Sequence, residues 1–196
     1  RKAAGLGVAS IEKDKERYEH KYEYCDLLVA GSGPAGLSSA YAAAKNGAKV
    51  ILAEDKPRFG GSLLTDDVTI DNLSGKAWTD KIITELKQMP NVIVKNRSQV
   101  FGYYDHNMTV MFERTGDHLK DKPKFTPRQR LWYIRAKEVL LSTGSIERPI
   151  VFGNNDTPGV FLSAAAKEYI KVYGVLVGKK PLIFTNNDSA YETALE

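Results

Sequence analysis

The stretch DLLVAGSGPAGLSSAYAAAKNG, residues 26–47, joins a short apolar run to a glycine-rich turn and then to an alanine-rich segment. Residues 26–30 have the continuous apolar pattern of a parallel strand that is buried on both faces. The alanines of residues 35–46 favour a helix, and Gly47 is suited to end it. We therefore predict a strand, a tight turn over residues 31–36 and a helix, in that order.

The turn GSGPAG has the spacing GxGxxG, in which each glycine has a steric role. Gly31 permits the tight turn, Gly33 lets the backbone approach a pyrophosphate, and Gly36 lets the helix lie close to the strand. The N-terminus of the helix adds free N–H groups and the positive end of its dipole. The motif alone is weak, but its position between a predicted strand and a predicted helix indicates dinucleotide binding.

A second strand, predicted over residues 49–53, ends at Glu54, about 20 residues after the turn, as in dinucleotide-binding βαβ units. The Glu54 carboxylate can accept hydrogen bonds from an adenosine ribose, and its charge would repel a 2′-phosphate. NAD or FAD is therefore favoured over NADP. The nearby cations Lys56 and Arg58 weaken that preference.

The rest of the chain has the patterns of further strands and helices. Helices are predicted over residues 77–89 and 162–173, with another beginning at Ser189, and strands over residues 92–95, 99–104, 108–114, 131–135, 138–142 and 181–184. Asp105, His106 and Asn107 give a hairpin signal between two of these strands. The predicted fold class is α/β: a Rossmann-like FAD/NAD(P)-binding domain with a parallel sheet and an inserted three-stranded β-meander.

The predicted elements suggest a division of the chain into three parts. Residues 1–24 are expected to be a surface lead-in segment, and residues 25–160 the FAD/NAD(P)-binding domain. Residues 161–196 are expected to begin a second, degenerate and truncated dinucleotide-binding domain. Neither end has the pattern of a natural boundary, so we expect the chain to be part of a longer protein.

Composition excludes several classes of protein. The net charge is only +4, and the basic excess of residues 114–137 is interpreted as a solvated loop rather than a nucleic-acid surface. The apolar stretches are much shorter than the roughly 20 residues that span a bilayer, so no membrane segment is expected. A single cysteine, Cys25, excludes an internal disulfide framework and favours a reducing, cytoplasmic location. The three histidines lack metal-ligand spacing.

Two later features resemble the glutathione-reductase-like flavoproteins. One is the segment Gly60-Gly61-Ser62, and the other is the strand that ends in Thr143-Gly144 after the meander. In that fold a Gly-Gly segment flanks the pyrophosphate, and a strand ending in Thr-Gly closes the first domain. A residue matching Val100 meets the adenine through its backbone. By fold alone, FAD would be the expected ligand.

A more specific resemblance is to the α subunits of heterotetrameric sarcosine oxidase. It rests on CDLLVAGSGPAGLSSA and FGGSLL within residues 22–64, on GYYDHN, on STGSIERPIVFGNNDTPGV and on FTNNDSAYETA. The similarity is spread over most of residues 18–194. Related amine and amino-acid dehydrogenase subunits share parts of the pattern.

This resemblance implies an oxidoreductase whose chemistry lies outside this chain. The α subunit of that family binds NAD where its relatives bind FAD, while the β subunit oxidises sarcosine at FAD and an FMN lies at the α/β boundary. The partners would be β, γ and δ subunits, and no catalytic residue or metal site is expected here. The predicted cofactor-binding residues are Gly31, Gly33, Pro34, Ala35, Gly36, Glu54, Asp55, Lys56, Gly61, Ser62, Val100, Thr143 and Gly144.

The segment TNNDSA, residues 185–190, stands where a second GxGxxG motif would be expected, and it has no glycine. Side chains at those positions would crowd a pyrophosphate, so we infer a degenerate second site. Two other hypotheses remain open at this point. The chain could belong to a catalytic FAD-dependent oxidoreductase, or it could be a non-catalytic assembly module that a nucleotide stabilises.

Overall fold

The computed structural model describes residues 10–196. Its centre is a mixed sheet of six strands in the order β5-β2-β1-β8-β7-β6, and two further short strands form a separate hairpin. The strands are β1 (Tyr18–Ala30), β2 (Val50–Ala53), β3 (Thr69–Ile70), β4 (Leu73–Ser74), β5 (Val92–Lys95), β6 (Ser98–Tyr104), β7 (Met108–Arg114) and β8 (Gln129–Leu141).

Within residues 10–196, four helices accompany these strands. They are α1 (Pro34–Lys45), α2 (Gly75–Gln88), α3 (Ser163–Tyr173) and α4 (Ser189–Leu195), with short 3₁₀ turns at Gly61–Leu64 and Asp105–Asn107. The side chain of Ser74 caps α2 by accepting a hydrogen bond from the Ala77 N–H group, which satisfies one of the free donors at that end. The predicted helices are therefore present, with boundaries that differ by one or two residues.

The parallel part of the sheet consists of β5, β2, β1 and β8. Strands β1 and β2 are joined through α1, which confirms the predicted βαβ unit. In the register of the sheet, Ala30 at the end of β1 lies beside both Ala53 of β2 and Leu141 of β8. The residues that follow these three strands therefore meet at one edge.

The predicted β-meander is also present, as β6, β7 and β8 pair in antiparallel order. Two details of the prediction were wrong. The first parallel strand begins at Tyr18 rather than Asp26. The strands predicted over residues 131–135 and 138–142 are not separate, because residues 129–141 form the single strand β8, which Ser142 follows. Strand β1 pairs with β8 from Tyr18, which lies beside Gln129, to Ala30, which lies beside Leu141. The pairing with β8 therefore holds the whole length of β1. The first half of β1 is mostly exposed or half-buried, and it therefore has no apolar pattern to reveal it.

The strand predicted over residues 181–184 is not formed. Leu182 is 95% exposed, and no described strand of residues 10–196 lies beside this segment to complete a ladder. The helix predicted to begin at Ser189 is present as α4. The division of the chain into domains at residues 25 and 161 stays a prediction.

The core consists of two clusters on opposite faces of the parallel strands. On one face, side chains such as Val29 and Leu52 pack against Leu37 of α1 and Leu86 of α2. On the other face, Leu28, Ile51 and Cys25 pack against meander residues that include Met111 and Ile134. Burial raises the pKa of Cys25 to about 12, so this thiol is protonated at neutral pH.

A buried carboxylate, Glu113 of β7, joins the meander to the parallel strands. It accepts hydrogen bonds from Trp132 Nε1 at 2.6 Å, from Lys95 Nζ at 3.0 Å and from Arg130 Nη1 at 3.0 Å. Burial raises the pKa of Glu113, but these hydrogen bonds and the charges of Lys95 and Arg130 outweigh it and hold the pKa below its usual value. The carboxylate is therefore ionised and paired inside the sheet.

Candidate dinucleotide site

The three glycines of the turn over residues 31–36 have different surroundings. Gly31 has a φ of +101°, and a Cβ there would lie 2.3 Å from the carbonyl oxygen of Ser142. A Cβ at Gly36 would lie 2.0 Å from the carbonyl oxygen of Gly31. At Gly33, by contrast, a Cβ would have no heavy atom within 4 Å. Gly31 and Gly36 are thus required by packing, while Gly33 borders open space.

That open space lies in front of the N-terminus of α1. Gly33 is the N-cap residue and Pro34 begins the helix, while Ala35 is exposed in its first turn. No side chain caps this end, and the first turn contains no acidic residue. A helix end with free N–H groups and a positive dipole attracts an anion, so the turn has the shape and charge that a pyrophosphate requires.

The second glycine segment packs directly against the turn. The Gly60 N–H donates to the carbonyl oxygen of Ser32 at 3.1 Å and to its hydroxyl at 3.2 Å. Gly61 has a φ of +53°, and a Cβ there would lie 3.0 Å from the Cα of Gly33. Ser62 follows it and is exposed. The structure therefore brings Gly61 and Ser62 to the same opening as Gly33.

Glu54 directly follows β2 beside the turn and is only 7% exposed. Its Oε2 accepts hydrogen bonds from the N–H of Ser32 at 3.0 Å and from the hydroxyl of Ser32 at 2.5 Å, and its Oε1 accepts one from the Lys56 N–H at 3.0 Å. Burial raises the pKa of Glu54, while the hydrogen bonds from Ser32 and Lys56 oppose that shift only in part. Glu54 thus ties the end of β2 to the turn, and its contact with a ribose stays a prediction.

Lys56 and Asp55 lie on the exposed segment that follows Glu54. Lys56 Nζ donates to both carboxylate oxygens of Glu168 in α3, at 2.8 and 2.7 Å. Burial lowers the pKa of Lys56, but the hydrogen bond and charge of Glu168 outweigh it, and the pKa lies above its usual value. The carbonyl oxygen of Asp55 accepts a hydrogen bond from Arg114 at 2.6 Å. The expected nucleotide contacts at Asp55 and Lys56 are therefore next to α3 and the meander.

The end of β8 closes the same edge. The Ser142 hydroxyl donates to the carbonyl oxygens of Ala30 and Gly31, both at 2.9 Å. Thr143 and Gly144 follow it and are exposed, and Gly144 has a φ of +71°. Thr143 lies next to Gly31, since a Cβ on Gly31 would be 3.2 Å from its Cα.

Val100 lies in β6 and is connected to the site through the start of that strand. The N–H of Ser98 donates to the carbonyl oxygen of Glu54 at 2.7 Å, and Val100 follows two residues later. Val100 itself packs on the core cluster around Met111 and Ile134. Its contact with an adenine stays a prediction.

Sequence reasoning missed Ser32 and Ser142. The hydroxyl of Ser142 donates to the Gly31 carbonyl oxygen of the turn, while the hydroxyl of Ser32, which is completely buried, ties the turn to Glu54. A signal for Ser32 was its place inside the glycine motif, where a small polar side chain next to a strand end has backbone groups and a carboxylate within reach. Nothing in the sequence alone indicated that Ser142 would reach the carbonyl of Gly31.

Other kinds of site have little support in the described part of the chain. Within residues 10–196, no cluster of three or more histidine, cysteine, aspartate or glutamate side chains has the geometry to hold a metal ion. Among the same residues, no helix combines the length and apolar character needed to cross a bilayer.

In the turn before α4, Asn187 Oδ1 accepts hydrogen bonds from the N–H and hydroxyl of Ser189 at 3.0 and 2.5 Å, so side chains fill that turn.

The comparisons with known proteins agree with this architecture. Residues 26–115 match the family described as FAD dependent oxidoreductase. The whole chain is 46% identical over 196 residues to sarcosine oxidase subunit alpha of Rhizobium meliloti (strain 1021), covering 20% of that protein. It is 42% identical over 190 residues to the subunit of the same name from Corynebacterium sp. (strain P-1), covering 95% of this chain and 20% of that protein.

A solved structure gives independent support for the fold. The crystal structure of L-proline dehydrogenase from P. horikoshii superposes with a TM-score of 0.64 at 24% identity, covering 86% of this chain and 32% of the other. At that level of identity the likeness concerns the fold alone. The chain spans about one fifth of the length of the curated relatives that it matches. Over nearly its whole length the chain is thus similar to sarcosine oxidase alpha subunits, and it has the fold of an FAD-dependent oxidoreductase domain.

Proposed function

We propose that this chain forms the NAD-binding part of the alpha subunit of a sarcosine-oxidase-type complex. The observation that supports a nucleotide site best is the open space beside Gly33 in front of the uncapped N-terminus of α1. The resemblance to sarcosine oxidase alpha subunits implies NAD rather than FAD, and it supports this part of the proposal. Glu54 at the end of β2 is in the position that favours an unphosphorylated ribose.

The proposed contacts follow the edge of the sheet. The pyrophosphate would lie on the turn and the first residues of α1, with the second glycine segment on its other side. The ribose would lie at the end of β2 and the adenine near β6. The residues in these roles are Gly31, Gly33, Pro34, Ala35, Gly36, Gly61 and Ser62, then Glu54, Asp55 and Lys56, then Val100, with Thr143 and Gly144 closing the edge.

In the proposed complex the chemistry takes place elsewhere. Sarcosine would be demethylated oxidatively to glycine, with hydrogen peroxide and folate-linked one-carbon transfer, on other subunits or regions. FAD and FMN would be carried with the β subunit, and γ and δ subunits would complete a cytoplasmic heterotetramer. The one thiol, Cys25, is completely buried and protonated, so it does not provide a redox-active thiol for the proposed nucleotide site.

A second candidate is a catalytic oxidoreductase that binds FAD at the same place. The match of residues 26–115 to the FAD dependent oxidoreductase family favours it. NAD and FAD have the same ADP half, so the turn, Glu54 and the second glycine segment suit both. Identification of the bound nucleotide is therefore needed to distinguish the two candidates.

Release and identification of the copurifying nucleotide separates the two candidates. The purified protein is denatured, and the supernatant is analysed by visible absorption and mass spectrometry. We expect a colourless protein that releases NAD, and no nucleotide from a Gly33→Val variant whose added side chain fills the open space. A yellow protein that releases FAD would overturn the NAD proposal in favour of the second candidate.

A third candidate is a non-catalytic module that assembles with partner subunits. Apolar side chains between residues 146 and 195 favour it, since Ile146, Leu182 and Leu195 are each at least 90% exposed. Gel filtration with and without a β subunit tests this role. Separate elution, under conditions where a full-length alpha subunit co-elutes, would count against it.

A further inference from the structure

Helix α3 packs along the segment that follows β2. Besides the pair between Lys56 and Glu168, Lys167 Nζ lies 3.1 Å from Asp66 and Lys171 Nζ lies 3.2 Å from Asp67. These contacts hold one face of α3 along residues 56–67. The helix is therefore a neighbour of the ribose end of the proposed site.

Both cations near Glu54 are engaged by α3. Lys56 Nζ donates to both oxygens of Glu168, and Arg58 Nη1 donates to the Val172 carbonyl oxygen at 3.0 Å. The Arg58 guanidinium also lies 6.0 Å from the centre of the Tyr173 ring. These are the two cations closest in sequence to the carboxylate that would bind the ribose.

A basic side chain without a partner near Glu54 would favour NADP over NAD. The 2′-phosphate of NADP extends from the ribose hydroxyl that a carboxylate at the end of β2 binds, and a nearby basic side chain stabilises it. The backbone N–H of Lys56 is already 3.0 Å from Glu54 Oε1, so its side chain starts beside that point. With Lys56 held by a carboxylate, a 2′-phosphate meets Glu54 and Glu168 as well as the lysine.

We propose that Glu168 is a positioning residue for nucleotide specificity: by pairing with Lys56, it keeps that cation from binding a 2′-phosphate and so excludes NADP. The inference rests on the proposed function, because it requires NAD at this site. It adds a determinant on α3, 112 residues along the chain from Lys56. The Lys56 side chain is 52% exposed, so it can turn toward a ligand once its partner is removed.

Calorimetric titration of nucleotide-free protein with NAD and with NADP tests this role. The variants are Glu168→Gln, Lys56→Ala and the double variant. As the control, Glu192→Gln removes the same charge from a carboxylate that pairs with Lys167 instead. Glu168→Gln should bind NADP about fivefold more tightly, with NAD affinity unchanged, since an exposed ion pair contributes up to about 1 kcal/mol.

In the double variant, Lys56→Ala should cancel the gain in NADP affinity that Glu168→Gln produces, because the effect of Glu168 acts through the lysine. Glu192→Gln should leave the ratio of NAD to NADP affinity as it is in the unmodified protein. A ratio unchanged in Glu168→Gln, with tight NAD binding retained, overturns the role of Glu168 but not the proposed function. Failure of the unmodified protein to bind NAD overturns both.

Discussion

The hydroxyl and the backbone N–H of Ser32 both donate to one oxygen of Glu54, at 2.5 and 3.0 Å. The carboxylate expected to bind a ribose is therefore also a structural tie between β2 and the phosphate turn. Its second oxygen, Oε1, accepts only the Lys56 N–H among the hydrogen bonds of the described residues, which leaves it the more available for a ligand. One oxygen therefore has a structural role, and the other is the one that we expect to contact the ribose.

Substitution of Glu54 tests both roles. Glu54→Ala should weaken NAD binding and lower the free energy of unfolding by about 1 to 3 kcal/mol, because it leaves buried donors of Ser32 unpaired. Ser32→Ala should lower stability by about 1 kcal/mol and retain most NAD affinity, because the carboxylate remains. Calorimetry and denaturant unfolding measure the two effects. Unchanged affinity in Glu54→Ala would refute the placement of the ribose.

Gly33 and Gly36 should respond differently to the same added methyl group. Gly36→Ala should destabilise the protein by at least about 2 kcal/mol, since its Cβ would meet the Gly31 carbonyl oxygen at 2.0 Å. Gly33→Ala should leave the unfolding midpoint nearly unchanged, because its Cβ enters open space, yet it should reduce nucleotide affinity. Thermal unfolding with and without NAD distinguishes them. Equal midpoints for the two variants without nucleotide would contradict this assignment.

The buried Glu113 predicts a pH dependence of stability. Its pKa is lowered in the folded state, so the stabilisation is present above the unfolded pKa of about 4.3 and is lost as the pH falls through the folded value. Glu113→Gln should lower the free energy of unfolding by about 3 kcal/mol at pH 7, because it removes the charge that faces Lys95 and Arg130.

The difference in the free energy of unfolding between the unmodified protein and Glu113→Gln should become smaller below about pH 4. Urea unfolding at a series of pH values measures it. Exposed Glu12, whose carboxylate accepts no hydrogen bond from residues 10–196, provides the matched control as Glu12→Gln. A difference that stays constant from pH 7 to pH 3 would contradict the paired, ionised carboxylate.

Cys25 should be inert toward thiol reagents in the folded protein. It is completely buried, and its pKa of about 12 leaves almost no thiolate at neutral pH. Labelling should therefore follow the rate of unfolding and become rapid in denaturant. Cys25→Ser should leave NAD binding intact. Rapid labelling of the native protein would show that the strand opens locally.

The sequence was sufficient to predict those elements in which a local pattern of residues follows directly from their structural role. The turn at residues 31–36, α1, β2 and β5 were predicted closely, because buried parallel strands are continuously apolar and glycines have steric roles. The first half of β1 could not be predicted, because its side chains are mostly exposed and the ladder with β8 holds it. That ladder is a non-local interaction, which periodicity does not detect.

The candidate site was likewise predicted only in its local parts. Gly31, Gly33 and Gly36 follow from the motif, and Glu54 follows from its spacing to the motif. The partners that α3 contributes, above all Glu168, lie more than 100 residues away, and nothing in the spacing connects them to Lys56. Long-range ion pairs depend on how the helix packs, which one sequence does not reveal.

Because β8 is one continuous strand, the number of residues along it determines the face of the sheet on which each of its side chains lies. The strand pairs with β7 over Gln129–Arg135 and is followed by Ser142, whose hydroxyl donates to the carbonyl oxygen of Gly31. Because side chains alternate in a strand, one residue inserted between 136 and 141 would turn every later side chain to the opposite face. The same insertion within residues 115–128 would only lengthen a loop. Tolerance to insertion should therefore change abruptly at Gln129, which begins β8 at the opposite end of the strand from Leu141.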